Sequence, residues 1–479
     1  MSDKLFAIMK ELNNMNKQKN ENAIEAHSLQ KKLRFRHVWA LGVGAVVGDG
    51  IFLLMGEGAK IAGPAVLLAY GLAGILLLFI MVSMGEMALG MPESGAMWVW
   101  NKKLLGGLWG FLTGSLYSAG WIIAGGSVGL AIGTLTSRFF DLGLPQDISI
   151  VIWGVVLVSL FALINLSGVA MAANTQLIMV LGLMGMMLIF SIAGFASNKL
   201  ELSNLEPFLP KGFGSLFPAI ALGTYAYMGG LTLTTAGGEV KNAKDLPRGL
   251  VWASLTVIII YSLAMFTMLG LISWKNLSVI ESPFVSAAQV AFGSSAATII
   301  NAGAWLAAAT CLLGGTLYSA PRLLFSMGEK GVLPLAFSQL SKKSSIPRFS
   351  TLVVWFISLC LILLGWRQPD IIYVYLSLLL VFCWSLTWFI TLLAAIAYRK
   401  KYPEEISNLK WRQPAFPLFP ILGLAGVAII MYGAFQAALI SLLIGLAFLG
   451  LLVMYYFFCG KKNMELKEKQ SNENGKLHE

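Results

Sequence analysis

Charge is scarce in this chain. Asp, Glu, Lys and Arg make up 12% of 479 residues, about half the quarter share of an ordinary soluble domain, which excludes a soluble globule with a solvated surface. Histidine and cysteine are scarcer still, at three and four. Cys311, Cys360, Cys383 and Cys459 stand singly in apolar runs with no CxxC pair, so inert thiols are expected rather than metal ligands or disulfides. No cofactor or metal is expected. No Gly-rich stretch is followed by GK[ST], which leaves no P-loop and no ATPase motif.

Apolar residues are abundant, at 57% of the chain. A spanning helix needs about 20 mostly apolar residues, so the chain can supply about twelve. Apolar segments do recur twelve times between residues 38 and 459. The expected fold is an all-α polytopic membrane protein of twelve transmembrane helices. Residues 1–37 are polar, rich in Asn, Lys and Gln, and contain no run long enough for a cleavable signal. They read as a disordered arm, and residues 461–479, mixing both charge signs with Asn, Ser and Gly, read as a solvated tail.

The excess of basic residues, +11 overall, is explained by placement. Threading twelve spans with the N-terminus inside puts 28 of the 34 Lys and Arg on one side, and only Lys60, Arg138, Lys199, Lys211, Lys275 and Arg367 on the other. That is the positive-inside pattern, so both termini are expected in the cytoplasm. It also removes nucleic acid as a partner, since the charge is spread over short loops with no basic domain. The lipid bilayer is the expected surrounding.

Two segments break the rules of spanning helices. The first span contains Gly42, Gly44, Gly48 and Gly50 with Asp49 among them. An interior Gly costs about 1 kcal/mol relative to Ala and a central Asp at least about 2.5 kcal/mol, so an unwound stretch lining a cavity is expected. Close helix packing through small residues is the alternative. The sixth span has a comparable weak point at Tyr225-Ala226-Tyr227-Met228-Gly229-Gly230. These spans head two blocks of five, residues 38–196 and 216–398, with a further pair of helices at 417–459. An odd number per block gives the blocks opposite orientation, which builds a midplane site from two broken helices. Half-helix N-termini suit an anion and exposed carbonyls a cation, so a zwitterion fits both.

The stretch Gly44-Ala45-Val46-Val47-Gly48-Asp49-Gly50-Ile51-Phe52 resembles the GxxxGxGIF signature of the amino acid-polyamine-organocation (APC) transporters. The likeness continues through Gly85-Glu86-Met87 with Pro92-Glu93-Ser94-Gly95, Gly238-Glu239-Val240-Lys241-Asn242 and Gly331-Val332-Leu333-Pro334, spanning about residues 34 to 400. The resemblance implies the five-plus-five inverted-repeat fold and carriage of amino acids or amines by alternating access. It implies that Gly48 to Gly50, with Gly44 and Ala45 before them, meet the substrate carboxylate. The carbonyls from Ala226 through Tyr227 to Gly229 and Gly230 would meet its amine, with Tyr225 as an aromatic lid. Thr316 is added as a substrate contact, at an eighth-span position that is Trp in some exchangers. Two departures stand out: relatives usually carry Ser or Thr where this chain has Asp49, and several proton-coupled ones have a Lys in the fifth span, where residues 175–196 hold no ionisable side chain.

Asp49, near the bilayer centre, is expected to work as a proton carrier or as counter-ion to a substrate amine, against the plainer reading of a protonated structural acid. Glu86, near the inner end of the second span, is either an inner-gate ion-pair residue or an interfacial charge. Gly125, Gly129 and Gly133 repeat every fourth residue and point to close approach of a neighbouring helix. The function expected is secondary transport of an amino acid across a prokaryotic plasma membrane, by proton symport or exchange. The alternatives are an amine or polyamine carrier and a nutrient-sensing membrane subunit that binds without transporting. An enzyme is not expected, because no nucleophile with a base, and no carboxylate pair, falls at the midplane. Oligomeric state stays open.

Overall fold

A computed structural model describes residues 34–466 apart from 92–94, 96, 167–172, 232, 234–239, 243, 278–281 and 342–345. The Pro92-Glu93-Ser94 and Gly238-Glu239 motifs, and most of both terminal arms, lie outside the described residues. Within them the chain is helical, with no β-strand, as expected where lipid leaves every backbone polar group to be satisfied internally. The helices are α1 (Phe35–Val46), α2 (Gly50–Ala62), α3 (Val66–Gly90), α4 (Met97–Leu105), α5 (Gly107–Ser137), α6 (Gln146–Leu166), α7 (Ala173–Ala196), α8 (Leu216–Tyr225), α9 (Asp245–Leu271), α10 (Pro283–Phe292), α11 (Ser294–Thr310), α12 (Leu317–Glu329), α13 (Arg348–Leu364), α14 (Pro369–Lys401), α15 (Leu418–Ala437) and α16 (Leu439–Tyr455).

Among the described residues nine helical runs are long and apolar enough to cross a membrane, and Phe213–Tyr225, Pro283–Phe292 and Arg348–Leu364 are shorter apolar helices. Apart from the short helices Trp274–Leu277 and Pro403–Ser407, two helices lie between the apolar segments of the sequence. α10 begins at Pro283, which suits a first helical turn, and its ten residues are too few to span. α4 precedes Gly106, whose φ of 107° is open to glycine at little cost and separates α4 from α5. At the C-terminus the helix runs on through a π-turn (Tyr456–Gly460) to Leu466 and buries Met464.

α5 is the most enclosed of the long helices and the run through α16 the least. α5 makes its most extensive contact with α14. Its glycines permit close packing: a Cβ at Gly133 would overlap the Ile150 carbonyl of α6, and one at Gly126 or Gly129 would meet Leu361 or Ile362 of α13. Large apolar side chains such as Ile178, Ile189, Leu363 and Leu443 point outward, giving the apolar exterior that a lipid environment requires.

Lys60 precedes the start of α3, and Glu86 lies near its end. Lys211 Nζ donates to the Lys60 carbonyl at 2.7 Å and Lys199 Nζ to that of Ala291 at 2.9 Å. At the far end Lys103 lies over the Tyr402 ring, 5.3 Å from its centroid, and Arg399 pairs with Glu86.

Candidate functional site

The first break falls where the glycines and the aspartate are. α1 stops at Val46, Val47 is extended (φ −75°, ψ 97°), and the helix resumes at Gly50. No side chain caps α2; the amides of Phe52 and Leu53 donate to the Asp49 carbonyl, and those of Gly50 and Ile51, which have no acceptor inside the helix, form a positive helix end beside the gap. The second break faces the first. α8 ends at Tyr225, Ala226 and Tyr227 form a turn, and Met228 to Leu231 continue in a tighter 3-10 turn. The backbones nearly touch: a Cβ on Gly229 would overlap the Ala45 carbonyl, and one on Gly50 would lie 2.6 Å from Tyr225 Cδ1 and 3.1 Å from Ala226 Cα. Glycine is required here for proximity, since neither break leaves room for a methyl group.

Asp49 sits at the junction, 1% exposed. The Tyr373 hydroxyl donates to Asp49 Oδ2 at 2.7 Å and that of Tyr225 to the same oxygen at 3.3 Å, while Ser127 Oγ and Tyr225 Oη share a bond of 3.1 Å. Tyr225 has one hydroxyl proton, so a bond donated to Asp49 makes Ser127 the donor to Tyr225. Four helices, α2, α5, α8 and α14, thus meet in one polar layer around a carboxyl group. Among the described residues no Lys, Arg or His lies within ion-pair distance of Asp49.

A small cavity adjoins this layer, bounded by Ala45, Val46, Gly48 to Gly50, Tyr225, Ala226, Met228, Gly229, Trp121, Ala124, Val128, Cys311, Leu380 and Trp384. Its walls are apolar apart from Asp49, the Tyr225 hydroxyl, the Trp121 Nε1–H and the backbone of the two breaks. Cys311 opens a π-turn (Cys311–Thr316) between α11 and α12, and its Sγ would stand 3.1 Å from a Cβ at Gly48. Such wide turns are frequent at functional sites. Toward the Arg399 end the cavity is closed by Trp121 and Trp384, whose ring centroids are 4.8 Å apart at 71°.

Of the residues singled out in the sequence, Ala45, Gly48, Asp49, Gly50, Tyr225, Ala226 and Gly229 line this cavity, and four do not. Gly44 is buried within α1. The Tyr227 ring turns away to pack on Tyr261, with centroids 5.2 Å apart. Gly230 faces Met81 and Val46. Thr316 is fully buried and donates to the Trp121 carbonyl at 3.1 Å, so it ties α12 to α5 behind the cavity wall. For Gly44 helical phase is the reason, since a neighbour one position away on a turn of about 3.6 residues points some 100° elsewhere; Tyr227, Gly230 and Thr316 lie in a turn, a 3-10 turn and a π-turn whose local backbone directs them away. Ser127, Tyr373, Trp121, Trp384 and Cys311 were not found from the sequence. Aromatic and small polar residues are common throughout these helices, and nothing local to α5 or α14 marks those that converge on Asp49.

Glu86 does not pair with Lys102 or Lys103, its neighbours in sequence. It is 3% exposed, accepts from Arg399 Nε at 2.8 Å and from Arg399 Nη2, and accepts a further bond from the Gln413 amide at 2.7 Å. Arg399 Nη2 also donates to the Gln413 carbonyl at 2.9 Å, and the guanidinium lies 4.4 Å from the Phe416 ring centroid. A two-pronged Arg–carboxylate contact of this kind is directional and stronger than a single bond. It joins α3, α14 and the segment leading to α15.

An all-helical, apolar-surfaced bundle with a central cavity between interrupted helices defines a membrane protein that handles a small solute. The model of the amino acid permease family matches residues 37–469, and the chain belongs to that family. It is 30% identical to the uncharacterized amino acid permease YtnA of Bacillus subtilis over 464 residues, 92% of this chain and 96% of that one. It is 28% identical over 468 residues to the branched-chain amino acid permease BcaP of the same organism, covering 92% and 95% of the two chains. The D-serine/D-alanine/glycine transporter of Escherichia coli is 26% identical over 415 residues, with 82% and 86% covered. The protein is therefore a multi-pass transporter rather than an enzyme.

Proposed function

We propose that this permease carries a zwitterionic amino acid across the cell membrane by alternating access, with Asp49 as the proton-exchanging group. The reading takes the chain as twelve spans in two inverted blocks of five plus a C-terminal pair, with both termini in the cytoplasm. The observation that carries it is the meeting of two helix breaks around one cavity with a buried, cation-free carboxyl at the junction. The first amides of α2 suit a substrate carboxylate, and the carbonyls around Ala226 to Gly229 suit an ammonium group, as in transporters built on discontinuous helices. An amine or polyamine carrier would instead need Asp49 as the permanent partner of a cation.

Closure on both sides of the cavity supports alternating access. The Asp49–Tyr225–Tyr373 layer seals the end that carries Lys60 and Lys211, which the charge pattern makes extracellular. Trp121 and Trp384, and beyond them the Glu86–Arg399 clamp, seal the cytoplasmic end. Glu86→Gln leaves Arg399 with the Gln413 carbonyl and the Phe416 ring but no counter-charge. It is expected to lower the melting temperature and to make Cys311 reactive toward an impermeant thiol reagent applied from the cytoplasmic side. Unchanged Cys311 reactivity, measured with the other three cysteines replaced, would reduce the clamp to a structural staple.

Counterflow in liposomes tests the reading as a whole. Protein reconstituted with unlabelled amino acid inside should draw labelled amino acid inward, and free amines such as putrescine should not compete. Competition by amines in preference to amino acids would establish the amine reading. Binding without exchange would establish a sensor.

A further inference from the structure

We infer, resting on that reading, that Trp121 and Trp384 are the specificity-determining residues for the substrate side chain, and that they restrict it to small uncharged groups. The two indoles are seated by glycines on facing elements. A Cβ at Gly315, in the π-turn, would overlap the six-membered ring of Trp121, and a Cβ at Gly120 of α5 would overlap the indole of Trp384. Each ring is thus let into a helix surface that has no side chain at that point, and its depth in that notch sets how far the cavity extends. Trp384 is held further: its Nε1 donates to the Tyr117 carbonyl at 3.2 Å, and its ring lies 5.0 Å from that of Tyr117.

The polar layer and the indoles bound the cavity along α14. From Tyr373, which binds Asp49, to Trp384 is about 16 Å of helix. A substrate whose charged groups lie against the two breaks sends its side chain into the remaining space. The surfaces waiting there are Ala124, Val128, Leu380 and the two indoles, apolar apart from the buried, unpartnered Trp121 Nε1–H. A cationic side chain would lose its hydration with no acceptor or counter-charge there, and an anionic one with a single N–H donor to replace it. A long apolar one would meet the indoles.

Trp384 lines the cavity itself, so cutting its side chain back enlarges the space without moving the helices.

The experiment is counterflow with labelled alanine in liposomes, competed by glycine, alanine, valine, leucine, phenylalanine and lysine. The unmodified protein should prefer glycine, alanine and valine. One methylene in an apolar pocket is worth about tenfold or more in discrimination. Trp384→Ala should accordingly raise leucine and phenylalanine relative to alanine by about tenfold or more, and Trp384→Phe should shift the ratio in the same direction by less. Gly120→Ala pushes the same ring from behind and should move preference toward glycine. An unchanged order of competitors in an active Trp384→Phe or Trp384→Ala protein overturns the inference while transport stands. So does an unmodified protein that takes phenylalanine or lysine as readily as alanine. Uptake of no amino acid by the unmodified protein would overturn the transport reading, and size selection with it.

Discussion

Asp49→Asn should abolish concentrative uptake while leaving exchange in place, with the ratio of internal to external amino acid falling to about one. An ionised Asp49 and a substrate carboxylate at the same turn repel each other, so arrival of the substrate favours a proton on the pair. Linkage then requires that the proton favour the substrate equally. Asparagine imitates the neutral acid and retains an oxygen to accept from Tyr373 and Tyr225, which meet Asp49 Oδ2 at 2.7 and 3.3 Å, so the closed layer keeps its hydrogen bonds. What it removes is the proton cycle. The measurement is uptake into proteoliposomes under an imposed pH gradient, beside counterflow at equal pH. Accumulation with the same pH profile as the unmodified protein would take Asp49 out of coupling and leave it a structural acid. Loss of counterflow as well would favour Asp49 as the direct partner of a substrate amine.

Gly50→Leu is the second large effect, and its cause lies partly outside the ligand space. Any Cβ at this position falls 2.6 Å from Tyr225 Cδ1 and 3.1 Å from the Ala226 backbone. The backbone of the second break cannot yield far, because Gly229 is already against the Ala45 carbonyl. Tyr225 must therefore leave Asp49, and the two breaks must separate. Overpacking typically costs about 1–3 kcal/mol, so substrate affinity should fall roughly tenfold to a hundredfold. Insertion and expression should persist, since the change adds apolar surface to an apolar segment. Gly48→Leu offers a graded comparison: its nearest neighbour is the Cys311 thiol at 3.1 Å, a side chain that can rotate away, so the loss should be smaller. Equal affinity for the Gly50→Leu and unmodified proteins, by thermal shift or direct binding, would reject the assignment of this turn to the site.

The broken helices were legible because they violate a local rule. Glycines and a carboxylate are costly in a spanning helix whatever surrounds them, so Gly48-Asp49-Gly50 and Met228-Gly229-Gly230 announced themselves without any knowledge of the partner. The helices α4 and α10 were not legible as helices, because the pattern used was length of apolar run, and both are too short to satisfy it. Glu86 was recognisable as either an inner-gate ion-pair residue or an interfacial charge. Its partner Arg399 was not, since it lies at the far end of the chain and looks like one of three basic residues closing α14.

What the sequence determined by itself was the class, the family resemblance and the two points where helix must fail, all consequences of composition and local cost. Tertiary structure alone decided which side chains face the cavity. It brought Tyr373 and Ser127 to Asp49, turned Tyr227 and Thr316 away, and set Trp121 and Trp384 into glycine notches on elements far apart in the chain. The physical reason is that a helix side chain's direction depends on phase and on the neighbour it meets. In an apolar environment many faces are chemically alike, so no hydrophobic pattern marks the face that looks inward.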